Sequence, residues 1–231
     1  MTVAHSYSRL NTFEQCETKY DHLYVSKDVK DSDNDFTIYG NRVHEAMEEY
    51  GKAFINGTAD AVALLSDGTK FSEIAKFIPA ANAILMQPGE KHFEMQMAIR
   101  FDRTPCDWFA SDVWLRGIAD ILVVNGDKAF IGDWKTGKVR ASPLQLKLFA
   151  CMVMALFPQV NTVRTAFIWL AHDEITDDTF TRDMLSDLWD TLMPRFDAVQ
   201  QAVDVGVFKS KPSGLCNWCP AKGVCPDRRA R

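Results

Sequence analysis

The chain has 231 residues, enough to bury one sizeable core and better suited to one domain with an appendage than to two complete domains. Hydrophobic residues make up 47% and charged residues 25%, a balance that excludes a disordered or fibrous chain. The net charge of -5 argues mildly against a nucleic-acid partner; no apolar run is long enough for a membrane span and no secretory signal opens the chain, so a cytoplasmic location is expected.

Leu10, Phe13, Tyr20, Leu23 and Tyr24 recur at helical spacing and predict a helix over 8–25 that also carries Cys16. After a polar, acidic stretch, Val43, Met47 and Tyr50 form one stripe of a second helix over 40–54, with His44 beside the stripe. Residues 56–89 read as helical scaffold interrupted at Gly57, Gly68 and Pro79. From His92 the period drops to two, and Phe93, Met95, Met97, Ile99 and Phe101 predict a strand with one better-buried face.

Two further strands are predicted over 114–124 and 128–134, joined through Asn125-Gly126, a strong hairpin signal. Ser142 as N-cap and Pro143 at the first helical position open a helix that runs to Pro158. Residues 163–170 predict another strand, and a long helix over 181–205, with Pro194 as a candidate kink, leads to a cysteine-rich tail.

With Asn125 and Gly126 as the central turn residues, Asp120 faces Ile131 and Asp133 sits one diagonal step away. Asp120, Asp133 and Lys135 then share a face, with the carboxylates roughly 7 Å apart at the backbone. Two carboxylates at that spacing suit a hard cation such as Mg²⁺, and Lys135 adds a point charge. A solvated face with a cross-strand ion pair accounts for the same charges. Gly132 and Gly137 beside them permit close approach by a ligand.

The string Gly117-Ile118-Ala119-Asp120, followed by Asp133-Trp134-Lys135-Thr136-Gly137, resembles the PD-(D/E)XK nuclease superfamily in its RecB-like branch. Gly40-Asn41-Arg42-Val43-His44 is similar to that branch's upstream G-x-x-x-H helix, and Gln145 to Phe149 resembles its Q-x-x-x-Y helix, with phenylalanine in place of the tyrosine. The resemblance implies an α/β restriction-endonuclease-like core, a mixed sheet flanked by helices. It implies that His44, Asp120, Asp133 and the Trp134 carbonyl hold Mg²⁺ or Mn²⁺, that Lys135 is catalytic, and that Gln145 holds Lys135 or a phosphate. Glu94 matches a frequent acidic residue of the family, and a strand-edge charge accounts for it equally well.

The implied activity is hydrolysis of DNA, with single-stranded ends as the expected substrate in recombination, repair or processing. The alternatives are a DNA-binding subunit of a larger recombination or CRISPR-adaptation-like complex, and a redox-responsive iron-sulfur protein.

The six cysteines argue for metal ligation rather than disulfides in a cytoplasmic setting. Cys216, Cys219 and Cys225 give C-x₂-C-x₅-C, three thiolates that lack a fourth, and Cys16 is the natural candidate. One cysteine near the N-terminus and three near the C-terminus resemble the iron-sulfur nucleases of the AddB type and the CRISPR-associated RecB-like exonucleases. That implies a 4Fe-4S cluster stapling the chain ends, with structural Zn²⁺ or free thiols as the alternatives. Cys151 reads as a small buried hydrophobe, and Cys106 is unassigned.

The expected organisation is a single domain over 1–231: a nuclease core over about 36–175, with the 8–25 helix and the 206–231 tail forming the cluster region. From Lys209 to Arg231 six bases stand against Asp227, a local charge of +5 that reads as a phosphate-facing patch or as a solvated chain end.

Overall fold

The structure, a computed structural model, describes residues 4–31, 34–57, 74–139 and 142–227. Its centre is a five-stranded sheet in the order β1-β2-β3-β4-β5, with β1 Glu90–Ile99, β2 Leu115–Asn125, β3 Lys128–Lys135, β4 Thr162–Trp169 and β5 Glu174–Thr181. Neighbours run antiparallel except β3 and β4, which are parallel. A parallel pair needs a crossover, and the chain supplies it as a helix over Pro143–Leu156.

Among the described residues the α-helices are α1 Tyr7–Gln15, α2 Glu17–Tyr20, α3 Asp35–Ile55, α4 Ile78–Leu85, α5 Pro143–Leu156 and α6 Leu185–Val205. α1, α5 and α6 cover one face of the sheet through Leu10, Leu148, Met152, Leu192 and Phe196. α3 and α4 cover the other through Val43, Met47, Tyr50, Ala81 and Leu85. The result is the expected α/β architecture, a mixed sheet between two helical layers. Among the described residues no helix is long and apolar enough to cross a membrane.

Several elements differ from the sequence expectation, each for a physical reason. The helix expected over 8–25 is broken at Cys16, whose backbone is extended (φ -168°, ψ 112°), and a π-helical turn over Asp21–Val25 follows α2. Pro79 opens α4 rather than interrupting it, because a proline in the first turn gives up an amide the helix does not use. Gly68 lies outside the described residues. β5 has no counterpart among the elements expected from sequence, since Glu-Ile-Thr-Asp-Asp-Thr-Phe-Thr is a polar edge strand with only Phe180 buried. Ser142 precedes α5 as expected, but its hydroxyl accepts from Tyr7 Oη at 2.8 Å instead of capping the helix. α6 continues through Pro194 and ends at Gly206, whose φ of +70° is the left-handed conformation that favours glycine at a helix end.

The β2–β3 hairpin forms, with its turn one residue later than expected. Asn125 pairs with Lys128, so Gly126 and Asp127 are the central residues. Gly126 has φ +60° and Asp127 is not left-handed, the pattern of a turn with glycine at its first central position. Moving the turn by one residue at each side preserves which residues share a face and shortens the cross-strand spacing.

The most consequential departure lies in β1. Met95, Met97 and Ile99 pack with the α5 layer, while Phe93, two residues from Met95, packs with the α3 layer. Strict alternation therefore fails between them, and there Glu94 has φ +46°, a conformation rare outside glycine. β2 does the same at its facing residue: Ala119 packs with the α5 layer and Ile121 with the α3 layer. The ladder skips from Phe93–Ile121 to Met95–Ala119, leaving Glu94 and Asp120 opposite one another and unpaired in the ladder.

Phe93 reaches α3 because Gly51 leaves room: a Cβ there would stand 2.2 Å from the ring. Gly51→Leu is expected to lower stability by about 1–3 kcal/mol, which overpacking typically costs. Thermal unfolding should show a drop in Tm of several degrees, and an unchanged Tm would mean that the ring moves aside freely.

Candidate active site

The break in β1 and β2 turns two acidic side chains toward a third on β3. Continued by one step beyond Ile121–Gly132, the hairpin register sets Asp120 opposite Asp133. The ladder ends there, and the Asp120 side chain replaces it: Oδ2 accepts the Trp134 N–H at 2.7 Å. Both aspartates are nearly out of water, at 7% and 5% exposure, which no solvated charge ladder would show.

Each neighbouring element contributes one partner to this pair. α3 brings His44, whose Nδ1 stands 3.3 Å from Asp120 Oδ2 and 4.0 Å from Glu94 Oε1. α5 brings Gln145, whose amide donates to Asp133 Oδ1 at 3.0 Å. β3 brings Lys135, whose ammonium pairs with Asp133 Oδ2 and lies 5.2 Å from the Phe167 ring centroid. The Trp134 side chain is buried against the α3 layer, so only its backbone belongs to the site. In an extended strand the N–H and C=O of one residue point the same way, which turns the Trp134 carbonyl toward Asp120 as well.

The electrostatics follow from crowding. Burial, and then the Asp120 carboxylate, push the Asp133 carboxyl up to about 6, against the pull of Lys135 and His44. Burial and Asp120 also raise Glu94. Burial alone would lower His44, but its hydrogen bond to Asp120 and the surrounding carboxylates raise it above its ordinary value. Such a cluster favours any added positive charge, whether a proton or a cation.

His44, Glu94 and Asp120 offer ligand atoms all within 4.8 Å of one another, a group that could hold a metal ion. An oxygen-rich set with one imidazole fits a hard divalent cation such as Mg²⁺ or Mn²⁺. Asp133 faces this group from the next strand and meets it across Asp120. Thus His44, Asp120, Asp133, Trp134, Lys135 and Gln145 converge as the sequence motifs implied, and Glu94 joins them. Glu94 carries little signal of its own because its place opposite Asp120 depends on the β1–β2 register, which nothing in β1 alone specifies. Phe149, at the position of the family's tyrosine, is buried in the α5 layer.

A second constellation lies at the chain ends. Cys16, Cys216, Cys219 and Cys225 line one small cavity of about 30 Å³ with Thr18, Ser210 and Lys222. Burial raises the Cys219 thiol, and the nearby Cys16 and Cys216 raise it further. Direct bonds also join the ends: Thr18 Oγ1 donates to the Phe208 carbonyl at 3.2 Å, the Lys209 N–H to Glu17 at 2.9 Å and Lys211 Nζ to the Glu14 carbonyl at 3.2 Å. Cys151 is fully buried, its thiol pushed up to about 12, and Cys106 lies apart on the loop after β1. Of the basic tail, Arg228, Arg229 and Arg231 lie outside the described residues.

Comparison with solved structures finds a proposed exonuclease from Eubacterium rectale that matches with a TM-score of 0.56 over 97% of this chain and 90% of that one, at 12% identity. At that identity the likeness speaks for the fold alone. A second structure, SSO0001, matches at a TM-score of 0.36 and 11% identity over 81% of this chain and 86% of that one. No curated protein matches the sequence. The profile of the PD-(D/E)XK nuclease superfamily, in contrast, matches residues 4–226. That span takes in both acidic strands, the His44 helix and the Gln145 helix, and the chain belongs to the PD-(D/E)XK nuclease superfamily.

Proposed function

We propose that the chain is a metal-dependent deoxyribonuclease of the RecB-like branch, acting as an exonuclease on single-stranded DNA ends in recombination, repair or processing. The observation that carries this reading is the convergence of Asp120, Asp133, Lys135, Gln145 and His44 from four different elements on one buried spot. His44, Glu94, Asp120, Asp133 and the Trp134 carbonyl are the residues that would hold Mg²⁺ or Mn²⁺. When bound, the cation supplies Lewis acidity toward a phosphoryl oxygen and the attacking water.

The protein's own groups do the rest. Lys135 places a fixed positive charge where a phosphoryl group gains negative charge, and Asp133 orients that ammonium before substrate arrives. Gln145 fixes the Asp133 carboxylate through Oδ1, leaving Oδ2 to face Lys135. Asp133→Ala and Lys135→Ala are each expected to lower cleavage of end-labelled single-stranded DNA by roughly 10²–10³-fold or more. Full cleavage by both variants would sink the assignment. A wild type that binds DNA without cutting it would favour the DNA-binding subunit.

Proton and cation compete for the same site. A carboxyl raised from 3.8 to about 6 binds more protons folded than unfolded, so its contribution to the metal-free stability falls as pH rises through about 4 to 6. The raised His44 acts in the same direction at higher pH, its stabilising charge being lost as pH passes its folded value. Mg²⁺ or Mn²⁺ is therefore expected to raise Tm by more near pH 8 than near pH 5, read by thermal unfolding with and without the ion. An equal shift at both would show that these groups do not take up the cation.

The cysteine cavity supports a 4Fe-4S cluster held by Cys16, Cys216, Cys219 and Cys225, since all four residues line it and a cubane cluster takes four thiolates. Protein purified without oxygen is expected to contain iron that Cys16→Ser and Cys219→Ser each lose. Zinc in its place would assign a structural zinc site, and neither metal would leave free thiols.

A further inference from the structure

Beside the acidic site lies a cleft of about 380 Å³, bounded by residues 4–9, Trp108, residues 115–118 of β2 and α5. It exists because β3 pairs with β2 only as far back as Ile121. The edge that β3 leaves is taken by the segment before α1, through His5 N–H to the Trp114 carbonyl at 2.6 Å and Arg116 N–H to the His5 carbonyl at 2.9 Å. The opening that remains has an apolar floor of Leu148, Phe149 and Met152 and a polar rim.

Its charge is unlike that of the chain as a whole. The sequence holds 31 acidic against 26 basic residues, yet among the described residues two arginines and no acid line the cleft. Arg9 is already engaged, donating to the Ala4 carbonyl at 2.6 Å and lying over the Tyr24 ring. Arg116 is less engaged: its guanidinium lies 5.3 Å from the Trp108 ring centroid, and its buried Nε has no hydrogen-bond partner among the described residues. A buried donor on a charged group is costly unless an acceptor meets it, so the site is built to receive one. Gln145 belongs to both places, lining the cleft and donating to Asp133.

We propose that this cleft is a nucleotide subsite in which an unpaired base of single-stranded DNA rests against Leu148, Phe149 and Met152 beside Trp108, while Arg116 takes the adjoining backbone phosphate. A concave apolar floor accepts a base only when that base is out of its stack, whereas a duplex presents phosphates outward and keeps its base faces covered. Arg116 with Trp108 is the pairing of cation and ring that single-strand grooves use. The proposal rests on the nuclease reading only for direction: a chain leaving the subsite passes Gln145 and reaches Asp133.

Fluorescence anisotropy of a labelled short oligothymidylate, with EDTA present to prevent cleavage, tests it on the full chain. Arg116→Gln, Trp108→Ala and Ser8→Asp are compared with the wild type, and Arg164→Gln serves as a cation outside the cleft. Ser8 is exposed at the rim in the first turn of α1, where a carboxylate favours the helix, so that variant folds and repels phosphate. Each cleft variant is expected to weaken binding by about tenfold and Arg164→Gln to leave it unchanged. Wild-type affinity in all three, no binding by the wild type, or a preference for duplex would overturn the subsite. Cleavage in Mg²⁺ or Mn²⁺ alongside unaltered binding in the cleft variants would remove the subsite and keep the nuclease. Single-strand binding sensitive to the three variants, without cleavage by the wild type, would keep the subsite and remove the nuclease.

Discussion

Asp120 and Asp133 stand on adjacent strands with almost no water around them, and two carboxylates in that position repel one another while each loses its hydration. Much of the local structure answers that cost. A backbone N–H goes to Asp120, a side-chain amide and an ammonium to Asp133, and an imidazole to Asp120. These four donors come from β3, α5, β3 again and α3, so the helical layers on both faces of the sheet and the strand itself are tied to one pair of acids. The balance is still incomplete, as the raised Asp133 and Glu94 show. A site that remains short of positive charge after its own donors are counted is prepared for a cation, and the chain keeps it so at the expense of stability.

The geometry also needs a defect in the sheet. In an unbroken strand Glu94 would alternate with Phe93 and Met95 packed on the same face as each other, and the side chains on β1 would not reach across β2 toward α3. The left-handed backbone at Glu94 exchanges the faces of β1, and β2 exchanges with it at Asp120, so the two defects face each other and cancel in register. Strain of this kind persists only where surrounding contacts hold it. Here Phe93 is seated over Gly51 of α3 on one side and Met95 against the α5 layer on the other. α3, which carries His44, is thus positioned by the same residue whose displacement opens the site.

Much of this could be read from the residues. The hairpin, the nearness of Asp120, Asp133 and Lys135, and the helices carrying His44 and Gln145 followed from period, turn chemistry and motif order, because each depends on a local rule. The turn lies one residue later than the Asn125-Gly126 signal implies, a symmetric change that keeps the parity, but Asp120 meets Asp133 through the break in β2 rather than through a shared face. What failed was what depends on partners distant in sequence. Nothing within 8–25 marks Cys16 as a break, and the cavity that Cys16 lines is shared with residues about two hundred positions away. Alternation in β1 predicted one face for Phe93 and Met95, and only the glycine in α3 explains why Phe93 takes the other. β5 is too polar to be seen without its neighbour β4.

α1 connects the two constellations that the chain would otherwise keep apart. Its first turn, with Ser6, Tyr7 and Ser8, forms a wall of the cationic cleft, and its last residue is followed by Cys16 in the cysteine cavity. Nine helical residues span about 13 Å, a distance a helix holds rigidly and a loop does not. The C-terminal tail, bonded to Glu14, Glu17 and Thr18, therefore fixes one end of the helix whose other end shapes the cleft. Arg195 of α6 pairs with Glu14 and adds a second brace from the opposite element. The contacts between the chain ends thus help to hold the cleft wall facing Arg116, which among the described residues joins the sheet through the bridge at His5.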